Sequence, residues 1–215
     1  MGVISLEILE NDDQITAHIL RALASDLTKR LHRSKIKLLP KLKRLLRSAL
    51  QSQPEYFSLL NGDLMAEFGL VDGQERIDRI IEHWLNTISI KVIPVRARGK
   101  KLTGGLKITA IPSDYSDVEQ LPEAVFVTEK GHRLEWLSWL LKNGDQAIIL
   151  EYTILYGNFT QSRTGRAIMN KKFGGRWSVP PEYAGTINNN FVTRTIESIG
   201  PQIESTIIQT VSSDI

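Results

Sequence analysis

The spacing of the apolar residues changes near Thr87, and this change constrains the fold more than any other feature of the chain. Before it, apolar side chains recur every three or four residues. Ile15, Ile19, Leu20, Leu23, Leu27 and Leu31 form one such stripe, behind candidate caps at Asn11, Asp12 and Asp13. That period lines one side of an α-helix. Leu42, Leu45, Leu46 and Leu50 follow Pro40, which predicts the first turn of a second helix at the proline. PEYFSLL reads as a short helix ended by Asn61-Gly62, and DLMAEFGL as another. Ile77, Ile80, Ile81, Trp84, Leu85 and Ile88 mark a helix from about Asp72.

After Thr87 the pattern is that of strands. SIKVIPVRA alternates polar with apolar, RGKKLTGG reads as a turn or mobile loop tip, and LKITAIP as the returning strand. EAVFVTEKG reads as a further strand. HRLEWLSWLLKNG fits a helix stopped by Asn143-Gly144, with a strand as the alternative. AIILEYTILYG is nearly continuous in β-branched and aromatic residues, the mark of a central strand. A terminal helix carries Val192, Ile196 and Ile199, and Gly200-Pro201 should break it. The expected fold class is α+β. A helical N-terminal region spans 1–86. A β-rich core spans 87–215, with a central antiparallel sheet, one helix, a long loop at 157–186 and a C-terminal helix. The alternative is one integrated domain.

The 215 residues contain no cysteine, which removes disulfides, thiolate metal sites and cysteine nucleophiles together. The start, MGVISLEILENDD, lacks the pattern of a signal peptide, and no apolar run reaches transmembrane length. His18, His32, His83 and His132 are not at metal-ligand spacing, and GKKLTGG has the wrong spacing for a phosphate loop. Asp145 and Glu151, near Lys142, resemble the acids of a metal-dependent nuclease, but a turn acid and a strand acid are the simpler reading. No catalytic residue, metal or cofactor is expected.

Function then falls to surfaces. Gly157–Thr186 is rich in glycine and proline and basic, yet it holds Phe159, Ile168, Met169, Phe173, Trp177, Val179 and Tyr183. It is too apolar for a linker and too rich in glycine and cations for a core, a mixture that suits a docking arm. The bland alternative is a loop folded back on its own domain, with Trp177 and Tyr183 plugging the core. Charge is also segregated. No acid lies between Asp26 and Glu55, where Lys29, Arg30, Arg33, Lys35, Lys37, Lys41, Lys43, Arg44 and Arg47 crowd together. That segment, 29–47, is the solvated face of an amphipathic helix pair, a nucleic-acid-binding module or, as a third option, a membrane-surface contact. Lys41, Lys43, Arg44 and Arg47 are its contacts to DNA or to an acidic partner.

The order PEYFSLLNGDLMAEFGL, a β-rich centre, SRTGRAIM, then GRWSVPPEYAGT leading into a terminal helix resembles the neck or tail-completion proteins of tailed bacteriophages. The similarity is best over Ile148–Ile199 and weaker over Ser52–Trp84. It implies a structural, non-enzymatic virion protein, assembled in the host bacterial cytoplasm as a homo-oligomeric ring. Its partners would be neighbouring neck, portal-side, or tail-tube or sheath proteins, with DNA passing through the channel without sequence-specific contact and no membrane. On that reading Arg163, Arg166, Arg176, Trp177 and Tyr183 make subunit or head–tail contacts. Arg98, Lys100 and Lys101 do so from a loop tip.

Overall fold

The first apolar stripe becomes α1 (Asp12–Gln51), a helix of 40 residues in a computed structural model that describes residues 11–111, 114–128 and 131–213. The sequence stretch up to Glu10, and Pro112, Glu129, Lys130 and Asp214 of the segments read above, lie outside the described residues. No second helix begins at Pro40; α1 runs through it. The reason is the continuity of its buried stripe, Leu38, Leu42, Leu46, Ala49 and Leu50. Pro40 and Ile36 both face solvent, so the Ile36 carbonyl that loses its N–H partner lies where water can supply one.

Three helices follow as the spacing predicts: α2 (Pro54–Asn61), α3 (Asp63–Phe68) and α4 (Gly73–Thr87). The first hairpin is β1 (Ser89–Arg98) and β2 (Lys101–Thr109), paired antiparallel from Ser89↔Thr109 to Arg98↔Lys101. Its tip is only Gly99-Lys100, shorter than the loop expected. Then come α5 (Ser116–Glu119), a 3-10 turn at Pro122–Ala124, β3 (Phe126–Val127), β4 (Arg133–Leu134) and α6 (Trp136–Leu141). The ambiguous Trp-Leu segment is therefore helix over six residues and strand over two, and EAVFVTEKG supplies two strand residues among those described. The chain ends in β5 (Ile149–Tyr156), β6 (Ala167–Trp177), α7 (Phe191–Ser198) and α8 (Gly200–Ser212), broken at Ile199 beside Gly200-Pro201 as expected.

The chain is α+β, but without one central sheet. Among the described residues there are three two-stranded antiparallel ribbons, β1-β2, β3-β4 and β5-β6. β5 is consequently not a central strand: it pairs with β6 alone, and residues 131–143 give α6 and the two-residue β4, which pairs with β3. The long irregular loop is also shorter than expected, because Ala167–Trp177 is strand.

The chain divides into two compact units that cut across the expected boundary at 86/87. One comprises residues up to Lys41, Ser89–Thr109 and those from Glu204; the other comprises Leu42–Ile88 and Ala110–Ile203. The second unit holds most of the buried core, centred on aromatic rings. Phe68 meets Trp136, Trp139 and Trp177 at centroid distances of 6.2, 6.1 and 5.9 Å, and Trp84 meets Tyr115 and Phe191 at 6.3 and 6.0 Å. Burying Phe68 or Phe191 alone contributes about 1.5–3 kcal/mol.

Two buried polar groups fix α7 within this unit. Glu55 of α2, 3% exposed, is paired with Arg194. Asn190, fully buried, caps the helix: its Oδ1 accepts from the backbone N–H of Val192 (3.0 Å) and Thr193 (3.2 Å). The same oxygen accepts from the Tyr115 hydroxyl at 3.2 Å. Nδ2 donates to the carbonyls of Leu141 (3.2 Å) and Thr186 (2.9 Å). Asn190→Ala loses the cap and strands several buried groups, so it should cost about 2–4 kcal/mol. The check is the urea unfolding midpoint, with an unchanged midpoint refuting the hub role.

Candidate functional site

The β5–β6 hairpin is the most exposed apolar structure of the second unit. Ile149↔Trp177 and Leu150↔Arg176 pair at one end, and Tyr152↔Lys171 to Tyr156↔Ala167 at the other. Between these two stretches Glu151 alone stands opposite four residues, Lys172 to Gly175. The excess on β6 must leave the plane of the ribbon as a wide bulge. Its sequence, Lys172-Phe173-Gly174-Gly175, allows this. Gly174 takes a φ of +70°, and a Cβ on Gly175 would lie 2.9 Å from both the Lys172 and Tyr152 carbonyl oxygens. Phe173 rides on the bulge and is 97% exposed. Leu150 (67%), Tyr152, Leu155 and Tyr156 are exposed on β5, and Lys171, Lys172 and Arg176 surround Phe173 in sequence. An apolar ring with cations around it, on a backbone fixed by two strands, is the make-up of an interface anchor.

The inward side of the same hairpin forms a groove of about 590 Å³, lined by Phe68, Trp139, Ile154, Met169 and Trp177 around Glu67. Glu67 of α3 accepts from the Trp177 indole N–H at 2.7 Å and from the Tyr156 hydroxyl. Burial raises its pKa more than these donors lower it, and Asp63 and Glu182 add to the rise. Burial and the facing Glu67 in turn hold the Tyr156 hydroxyl above the usual tyrosine range. The geometry is that of a clamp from β5 and β6 to α3.

The residues chosen from sequence separate into inward and outward sets. Trp177 is buried in the aromatic core, so it plugs its own domain and is no contact residue. Arg163 stays exposed while its guanidinium carbon lies 4.2 Å from the Phe126 ring centre and its Nη2 reaches the Phe68 carbonyl at 3.4 Å. Arg166 donates to the Asn61 carbonyl at 2.9 Å. Tyr183 is half-buried in a local turn. Arg176, Arg98 and Lys101 are exposed, and Lys100 is exposed in a surface pair with Asp13 at 3.3 Å. The four helix cations are mostly engaged. Lys41 bonds Thr210 Oγ1 at 3.0 Å, Lys43 bonds Asn86 Oδ1 at 3.1 Å, and Arg47 pairs with Glu82; Arg44 is exposed. Sequence reasoning placed Phe173 in the docking stretch without choosing it as a contact residue, and it missed Leu150. The signal for the first was the Phe-Gly-Gly triplet, which no period-two strand accommodates.

The acids proposed for a metal do not converge. Asp145 lies in an exposed turn, Glu151 sits at the bulge with φ of +63°, and Lys142 pairs with Glu119 at 2.6 Å. Among the described residues no group of three His, Cys, Asp or Glu could hold a metal ion. Among them, too, no helix is long and apolar enough to cross a membrane. Compared with known proteins, the chain matches no family model, no curated protein and no solved structure.

The raised Glu67 pKa gives a pH test. The native state keeps its proton above the ordinary value of 4.5, where the unfolded chain has lost it, so stability falls as pH rises towards the native pKa. Glu67→Gln copies the neutral acid. Relative to the native protein, this variant should gain stability as pH rises above about 4.5. Denaturant titrations from pH 4 to 8 would show it, and a constant difference would refute it.

Proposed function

We propose that this protein is a structural adaptor of a tailed bacteriophage, a neck or tail-completion protein that works as a ring at the head–tail junction. The observation that carries the docking part is Phe173, held 97% exposed on a rigid bulge. A lone aromatic so placed loses contact with water only against another surface, which contributes about 1.5–3 kcal/mol on full burial. The phage assignment draws on the sequence resemblance, which is best over Ile148–Ile199 and so takes in this hairpin.

The open α1 stripe supports self-association. Ile19, Leu23 and Ile36 are exposed, and Ile15, Leu20, Leu27 and Leu31 are only half-buried. A hairpin on one subunit and a helix stripe on the next are unlike surfaces, and contacts between unlike surfaces close into rings when the rotation permits. The contact set gains Phe173 and Leu150 beside the exposed Arg176, Arg163 and Arg166, while the buried Trp177 takes a structural role.

The test uses light scattering and electron microscopy of the purified chain, alone and mixed with the portal-capped heads or tail tubes encoded alongside it. The expected result is a ring, alone or on the particle. Phe173→Ser should weaken it at least tenfold while shifting the unfolding free energy by less than about 0.5 kcal/mol, since an exposed ring stabilises little. A chain that stays monomeric and never joins particles overturns the reading.

A further inference from the structure

The first unit carries 13 Lys and Arg against 7 Asp and Glu, whereas the second carries 14 against 17. Much of that excess lies in the β1–β2 hairpin. Between Ser89 and Thr109 there are six cations, Lys91, Arg96, Arg98, Lys100, Lys101 and Lys107, and no acid. Register places five of them together. Lys91 stands opposite Lys107, and Arg98 opposite Lys101. The shift between Ile93 and Arg96 inserts one extra residue into β1, so Arg96, opposite Thr103, returns to the face of Lys91 and Ile93. Gly104 permits this: its φ is +151°, and a Cβ there would lie 2.6 Å from the Val95 Cα.

One face of the ribbon is therefore Lys91, Arg96, Arg98, Lys101 and Lys107, every one exposed, and the other holds the buried Ile90 and half-buried Val92, Ala97, Leu102, Leu106 and Ile108. At the bulge the ribbon meets α1, whose Thr28 hydroxyl accepts from the Val95 N–H at 2.9 Å. Lys100, at the turn, is occupied by Asp13. Like charges directly across a ladder destabilise it by some tenths of a kcal/mol or more, and this ribbon holds two such pairs with no compensating acid. A folded chain tolerates that arrangement where an external anion balances it.

We propose that this face binds the phosphate backbone of duplex DNA without reading its sequence. Its length, about 20 Å from Lys91 to Arg98 at roughly 3.3 Å per residue, spans some six base pairs. The ribbon contains no aromatic residue, so it offers bases nothing to stack on, which disfavours single strands. Ile93 is the one large apolar side chain on that face, too little to anchor in a lipid interface or to form the dry centre of a protein contact. The proposal does not depend on the phage reading, since it concerns charge and geometry alone.

Fluorescence anisotropy with a 30-base-pair duplex of arbitrary sequence tests it on the full chain. Five phosphate contacts predict a slope of log K against log salt of about −4 to −5, hence a loss of roughly 10²–10³-fold between 50 and 200 mM salt. Arg96→Gln, Arg98→Gln and Lys101→Gln together should reduce the slope by about 3. The triple variant removes one opposed like-charge pair, so its melting temperature should not fall, which separates lost binding from lost folding. Arg133→Gln, Lys171→Gln and Lys172→Gln remove the same charge from exposed positions of the second unit and should leave DNA affinity within about twofold. Absence of binding at 50 mM salt overturns the proposal, as does an equal loss in both variants. Tighter binding to a single strand or to anionic vesicles than to the duplex does the same.

Discussion

A two-stranded ribbon has two unpaired edges and can set only one face against the rest of its own unit. This chain builds every one of its described sheets that way. Such a ribbon is marginal by itself and needs a helix against its apolar side. β1–β2 takes α1, to which the Val95–Thr28 bond ties it, and β5–β6 takes α3, through Trp177 against Phe68 and Glu67. The opposite faces and the edges are left to solvent or to partners. Bare edges invite uncontrolled pairing. Both long ribbons interrupt their edges with a bulge, and both carry cations, two devices that disfavour edge-to-edge pairing.

The β5–β6 bulge is costly enough to need a reason. Glu151 holds a φ of +63°, a conformation that costs an ordinary L-residue about 1–2 kcal/mol. The bulge opposite it replaces regular ladder pairing with a projecting Phe173. Nothing inside the chain gains from that projection, because the ring is solvated. Strain of this kind persists only where the surrounding structure holds it, here the ladder on both sides of the bulge. The clamp of Glu67, Tyr156 and Trp177 keeps the base of the hairpin fixed, so the anchor would meet a partner with little ordering left to lose.

Periodicity made much of this legible. α4 was readable because Ile77, Ile80, Ile81, Trp84 and Leu85 leave no other register, and the β1–β2 hairpin because alternation ran on both sides of a glycine turn. The break at Gly200-Pro201 followed from backbone chemistry alone. What escaped depended on distant partners. Pro40 looks like a helix start until one knows that its exposed side lets water take the Ile36 carbonyl. The β5 segment reads as central because its composition reports β-branching, while centrality depends on a third strand that residues 131–143 did not provide. Arg163 and Trp177 have the composition of an interface, but Phe126, Phe68 and Glu67 lie close enough to claim them first. The cationic face was invisible for a different reason: a single extra residue at the bulge decides whether Arg96 and Arg98 join Lys91 or oppose it.

Contacts made through the two exposed ribbon faces would respond to solution conditions in opposite directions, a difference that tells them apart without mutation. Contact through Phe173 and Leu150 removes apolar surface from water, and excluded salts such as sulfate strengthen it. Contact through the five cations of β1–β2 displaces counterions from phosphates and weakens steeply with any salt. The formal net charge of +3 conceals this, because an acidic unit offsets part of the charge of a basic one. In a chain that does both, raising sulfate would tighten protein–protein assembly while releasing DNA. A protein that must grip its neighbours firmly yet let a duplex slide past would draw on one force for each task. Burial is short-ranged and locks a register, whereas charge balance acts over about 10 Å and leaves the duplex free to move along the face.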